Sequence, residues 1–307
     1  MLRVEGLQKS YGSFQAVREV SFQLEPGSIF GFVGPNGAGK TTTMKVIATL
    51  LRPTAGQVFI GDVDVLRHPA EARRKIGYMP DFFGVYDDLK VWEYMEFYAD
   101  CYEVPAQGRQ RLIGDLLELV NLSQKRDAYV DGLSRGMKQR LCLARCLVHD
   151  PDLLILDEPA SGLDPRARVE MREILLELKR MGKTILISSH ILAELSEMCS
   201  HIGIIHDGRM VLSGPVDEVQ REAGARLIEV RVAGDPAPGA MQARSLPGVR
   251  DVRLESDGFR VVLEGEEEAV VHLLAALVQA GVPVLHFAET KSKLEDLFMA
   301  ITGGEER

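Results

Sequence analysis

Gly34-Pro35-Asn36-Gly37-Ala38-Gly39-Lys40-Thr41 follows an apolar run at residues 28–33 and leads into residues 40–51, which carry helical spacing and stop before Pro53. The pattern G-x-x-x-x-G-K-[ST] between a strand and a helix is that of a phosphate-binding loop. Its glycines let the backbone wrap closely around phosphate oxygens. Successive N–H groups and the positive helix end then stabilise the negative charge. On this reading Gly34, Asn36, Gly37, Ala38, Gly39, Lys40, Thr41 and Thr42 bind the phosphates of ATP. Lys40 reaches the terminal phosphates and the Thr41 hydroxyl ligates Mg2+.

Outward from the loop, residues 2–7, 20–24 and 57–60 read as short strands. From about residue 85 to 150 the pattern is mostly helical, with apolar residues three and four apart in 92–102, 108–120 and 136–148. This reads as an inserted helical subdomain. After Pro151 strands and helices alternate again: 153–156, 166–181, 184–188, 191–199 and 202–205. Asp207-Gly208 marks a tight hairpin. Alternation of this kind predicts an α/β fold with a largely parallel sheet covered by helices. Past residue 226 the order becomes β-α-β-β-α-β, that of a small split βαβ module. The expected division is a first domain over 1–222 and an acidic accessory domain over 226–304.

Leu153-Leu154-Ile155-Leu156-Asp157-Glu158 is a buried strand ending in two carboxylates. Doubly wound sheets bind ligands at the carboxyl ends of their strands. Asp157 suits the magnesium shell, and Glu158 suits a general base for an attacking water. Leu133-Ser134-Arg135-Gly136-Met137-Lys138-Gln139 opens a helix, with Ser134 as its N-cap, and a capped helix start is a second anion site.

Composition limits the alternatives. The 307 residues carry a net charge of −9, which argues against nucleic acid as a bulk electrostatic partner. No apolar run reaches the roughly 18 residues of a membrane span. The N-terminal residues lack a signal-peptide layout, so the cytosol is the expected compartment. Cys142 and Cys146 stand four apart without a second pair to complete a zinc site, and read as buried, reduced thiols.

The order of phosphate loop, Leu133–Gln139 segment, Asp157-Glu158, Ser161-Gly162-Leu163-Asp164 and His190 resembles the nucleotide-binding subunit of an ABC transporter over about residues 2–222. The tail is similar to one attached to a branch of ABC exporters. The resemblance implies a P-loop ATPase fold of ABC type: a mixed sheet with covering helices, an N-terminal antiparallel β subdomain, the helical insertion and a ferredoxin-like C-terminal module. It implies that Tyr11 stacks on adenine, that His190 contacts the γ-phosphate and that Asp164 lies at a dimer interface linking two ATP sites. Two cassettes would form a head-to-tail homodimer (or paired cassette) in the ATP-bound state. Ser134 and Gly136 of one would then close the site built on Lys40 of the other. A multi-span membrane permease subunit is the implied partner, on the cytoplasmic face of the membrane, with export favoured by the tail.

Two departures from the family pattern stand out. Tyr78-Met79-Pro80 is followed by Asp81 where glutamine is usual, a carboxylate that can still ligate Mg2+. Arg135 and Met137 replace the commoner glycine and glutamine, while Ser134 and Gly136 remain. Phe82-Phe83 and residues 92–98 read mainly as core packing, and otherwise as a groove for a short helix of a membrane subunit. The competing functions are a soluble ABC-type ATPase acting on DNA or ribosomes, and a nucleotide sensor. The first of these commonly carries paired cassettes, zinc modules or coiled-coil insertions, and none is seen here.

Overall fold

The computed structural model describes all residues except Phe83, Val85, Asp87, 190–194, 223–224, Glu266 and 291–307. By its internal contacts the chain divides into Met1–Ser213 and Gly214–Arg307. The helix at Val216–Glu222 therefore groups with the second unit.

The first unit is built on one ten-stranded sheet, in the order β5-β4-β1-β2-β10-β9-β3-β8-β7-β6. β1 (Leu2–Tyr11), β2 (Phe14–Leu24), β4 (Ala55–Ile60) and β5 (Val63–Asp64) are antiparallel neighbours. β3 (Ile29–Val33), β6 (Ile76–Met79), β7 (Leu153–Asp157), β8 (Thr184–Ser189) and β9 (His201–His206) run parallel. β10 (Arg209–Pro215) pairs parallel with β2 at Arg209↔Glu19, which joins the two halves into one sheet. The expectation of a largely parallel sheet thus covers only half of it. The antiparallel half is the N-terminal β subdomain that the family resemblance implies, joined to the parallel strands in one mixed sheet.

Sequence explains the split. β3, β7 and β8 are buried at every position, as strands covered on both faces must be, and so read as continuous apolar runs. β1 alternates buried and exposed residues over its first half, the mark of a sheet with one solvated face. Each fully buried Leu or Ile contributes about 1.5–3 kcal/mol. A charge at Ile155, in the middle of β7, would break the sheet where the carboxylates are mounted.

α1 (Lys40–Ile47) follows the loop, with Met44, Val46 and Ile47 buried in the core. α2 is the short Pro69–Arg74. The insertion consists of α3 (Val91–Cys101), α4 (Arg109–Leu119) and α5 (Arg135–Leu147), packed on one another. α6 (Pro165–Arg180) follows β7. Between β9 and β10 the turn residues Asp207 and Gly208 both have positive φ, as a type I′ hairpin requires.

The second unit opens with α7 (Val216–Glu222). Its antiparallel sheet has the order β12-β13-β11-β14, from β11 (Ala225–Val232), β12 (Val249–Leu254), β13 (Gly258–Glu264) and β14 (Val284–Thr290). α8 (Ala237–Arg244) and α9 (Glu267–Gln279) cover one face, closing a core of Ile228, Val230, Phe259, Val261, Leu273 and Leu277. This is the predicted β-α-β-β-α-β order, folded as a ferredoxin-like module.

Candidate functional site

A cavity of about 440 Å³ opens over the loop between β3 and α1. Tyr11, Asn36, Gly37, Ala38, Gly39, Lys40, Thr41, Thr42, Asp81 and Glu158 line it, together with Phe14, Ala16, Pro35 and Ser161. Four separate stretches of chain thus meet at one place. Gly39 sits at φ 105, a conformation closed to side-chain residues, and a Cβ there would run into the Ala16 carbonyl. This turn aims the N-terminus of α1 into the cavity.

The Lys40 ammonium is buried and donates to the carbonyls of Gly34 at 2.6 Å and Pro35 at 3.2 Å, with Glu158 Oε1 at 3.7 Å. Burial lowers its pKa below the ordinary lysine value, and the charges of Glu158, Asp157 and Asp81 act in the opposite direction. Glu158 lies just past β7 with φ 51, unusual for a residue with a side chain and of the kind found at functional sites.

Asp157 ends β7 fully buried, next to Ser188 in the β8 register. The Ser188 hydroxyl donates to Asp157 Oδ1 at 2.7 Å and accepts from the Glu158 amide at 3.0 Å. One serine therefore holds the Asp157 carboxylate and the backbone that carries Glu158. Asp157 Oδ2 is buried without a hydrogen-bond partner among the described residues. A buried orphan carboxylate oxygen is the kind of hard donor a divalent cation takes, and Thr41 and Asp81 offer further oxygens in the cavity lining.

The remaining sequence-predicted residues lie elsewhere. Ser134 caps α5, accepting from the Met137 amide at 3.3 Å. Asp164 caps α6 through Oδ1, accepting from the Ala167 amide at 2.9 Å. Neither these two nor Gly136 lines the cavity. His190 lies outside the described residues. Among the aromatics, Tyr94 is fully buried, whereas Phe82 is 90% exposed. Phe83 is also outside the described set.

Sequence reasoning missed Phe14 and Ser188, and it named Ser161 only as part of a motif, without a place in the cavity lining. Phe14 pairs with Tyr11 across the hairpin, so both rings stand on one face of its tip, and both are more than half or half exposed. The signal was the Gly12 turn, two residues before Phe14. Ser188 was marked only by its place at the end of an apolar strand.

Comparison with known proteins identifies the family. The family described as ABC transporter matches residues 17–161, and the one described as ATP-binding protein DrrA1-3-like, C-terminal domain, matches 214–302. The Nod factor export ATP-binding protein I of Ralstonia nicotianae is 35% identical over 100% of this chain and 95% of its own. The linearmycin resistance ATP-binding protein LnrL of Bacillus subtilis is 32% identical over 99% of this chain and 98% of its own. A solved ATP-binding subunit of an ABC transporter superposes with a TM-score of 0.67 at 32% identity, covering 73% of this chain and 93% of that one. A dimeric cassette in a post-hydrolysis state with ADP and Pi, 23% identical, has the same fold at TM-score 0.64 and covers 70% of this chain and 99% of that one. Fold, cavity and relatives agree: the chain belongs to the ABC transporter family, as an ATP-binding subunit that hydrolyses ATP to drive transport.

Proposed function

We propose that two copies of this chain close head-to-tail on two ATP molecules and power export through a separate membrane subunit. One observation carries the reading. The cavity gathers an aromatic platform, a phosphate loop and a carboxylate, while Ser134 and Gly136 of the same chain stay outside it. The α5 N-terminus they form suits an anion but does not border the chain's own cavity, as a composite site requires.

In this account Tyr11 stacks on adenine, and residues 34–42 hold the phosphates through backbone N–H groups. Lys40 leaves the Gly34 and Pro35 carbonyls for the terminal phosphates. Thr41, Asp81 and Asp157 hold Mg2+, which neutralises charge on the phosphates. Glu158, turned inward by its backbone and held by Ser188, takes the proton of the attacking water. Asp164 and His190 complete the site from the dimer interface and the γ-phosphate side. Hydrolysis removes the contacts that favour the closed state, and the pair reopens.

ABC cassettes dimerise and work with membrane subunits. Here the docking surface is assigned to a groove of about 330 Å³ lined by Leu50, Arg73, Tyr78, Tyr98, Tyr102 and Arg145. No helix among the described residues is long and apolar enough to cross a membrane. The chain would therefore sit peripherally, on the cytoplasmic face. The names of the export and resistance relatives support the direction of transport. Glu158→Gln should trap an ATP-bound dimer with little turnover, seen by size exclusion and phosphate release. Hydrolysis at the parent rate in that variant would remove Glu158 from the base role.

A further inference from the structure

Arg135 occupies a place in the α5 start where its family commonly has glycine, and its side chain turns back onto its own chain. Nη2 donates to the Ser161 carbonyl at 3.1 Å, and Gln139, one turn further along α5, donates Nε2 to the same oxygen at 3.0 Å. The guanidinium lies against Gly162, where an added Cβ would overlap it. Gly162 has φ 66, a backbone conformation that favours glycine, and a side chain there would push the guanidinium away. Ser161 also lines the phosphate-loop cavity. The segment from Ser161 to Asp164 thus borders this chain's cavity at one end and is gripped by α5 near Ser134 and Gly136.

We propose that Arg135 is a positioning residue that ties the Ser161–Gly162 peptide to the α5 N-terminus, so that ATP in one cavity is sensed at the surface offered to the other. The inference rests on the head-to-tail reading above. An exposed contact of this kind adds little in the free chain. Between closed copies it is shielded from water, and a charge-assisted bond there is stronger. Arg135 suits the role because its planar fork can reach the carbonyl and cover the glycine together, which a lysine ammonium cannot.

The test uses the full chain as Arg135→Gly, Gly162→Ala and the double variant. Without nucleotide, amide exchange over residues 158–167 should quicken about tenfold in Arg135→Gly. The ATP concentration for half-maximal hydrolysis should rise about fivefold, and the Hill coefficient should fall toward unity. Binding of a fluorescent ATP analogue to the monomer should stay at the parent value. Gly162→Ala, which displaces the guanidinium, should reproduce these shifts, and the double variant should go no further than Gly162→Ala alone. Unchanged exchange and an unchanged ATP curve in Arg135→Gly would overturn the proposal. So would a shifted curve in Arg135→Gly beside a parental one in Gly162→Ala, which would put the guanidinium on the partner's nucleotide. If ATP fails to pair the Glu158→Gln chain, the dimer reading fails instead, and the exchange result still judges the tether.

Discussion

Replacing Ser188 by alanine removes one hydroxyl and disturbs both the Asp157 carboxylate and the backbone that carries Glu158. The hydroxyl is fully buried, donates to Asp157 Oδ1 at 2.7 Å and accepts from the Glu158 amide at 3.0 Å. A hydrogen bond to a charged group contributes about 1.5–3 kcal/mol, and a buried amide left unpaired costs about 1–3 kcal/mol. Asp157 Oδ2 already lacks a partner among the described residues, so Asp157 would be left with neither oxygen satisfied by a hydrogen bond. Water entering from the cavity recovers part of this, leaving a loss of about 3 kcal/mol. The chain's single tryptophan, Trp92, lies on α3 in the first unit, so its fluorescence follows the unfolding of that unit. With a urea dependence of roughly 2–3 kcal/mol per molar, the midpoint should fall by about 1 M or slightly more. Hydrolysis at saturating ATP should fall at least about tenfold as Glu158 loses its orientation. Ser188→Thr, which keeps the hydroxyl, should recover part of both. A Ser188→Ala chain with the parent midpoint and parent turnover would refute the claim that this hydroxyl holds the site.

Phe14→Ala should raise the KM for ATP about tenfold with kcat little changed, because stacking of a base on one aromatic ring contributes about 1–3 kcal/mol. Tyr11→Ala should do the same, and a Phe14→Ala chain with the parent KM would confine the base to Tyr11. Lys40 supplies a pH test. Its folded-state pKa is lowered by burial, so the ammonium loses its proton below the ordinary 10.5, and triphosphate affinity present at neutral pH is lost as pH rises through that lowered value. For stability the sign is opposite: holding the buried charge costs folding energy at neutral pH, and the cost is relieved as pH climbs toward 10.5. Affinity for a fluorescent ATP analogue measured against pH should show the limb, and Glu158→Gln, which removes a charge that raises this pKa, should shift it to lower pH. A limb at or above 10.5 in the parent chain would contradict the burial argument.

Much of this was legible before the structure. Residues 34–42 could be read because a loop of this kind needs particular residues at fixed spacing, and the β7 carboxylates could be read because an apolar strand announced their position. The hairpin tip could not. β2 has consecutive buried residues at Ala16 and Val17, and the β1–β2 register shifts near Lys9, so strict alternation is lost where Tyr11 meets Phe14. α2 has only six residues, too few for a helical period to show. Asp164 was readable in another sense: Asp-Pro is a helix start, and the structure uses Asp164 as the cap of α6. The Arg135 contact was out of reach, since only the fold brings the α5 start against Ser161, 26 residues away.

That two chains complete each site is best tested by mixing two inactive variants. Lys40→Ala removes the phosphate ligand from a chain's own cavity, and Ser134→Arg blocks the surface it offers to its partner. Each variant alone should hydrolyse almost no ATP. A mixed pair retains one cavity with an intact Lys40 facing an intact Ser134, so an equal mixture should recover roughly a quarter of the parent rate, by the symmetry of the pair. A mixture no more active than either variant alone would contradict the composite site, and with it the account of how this chain works.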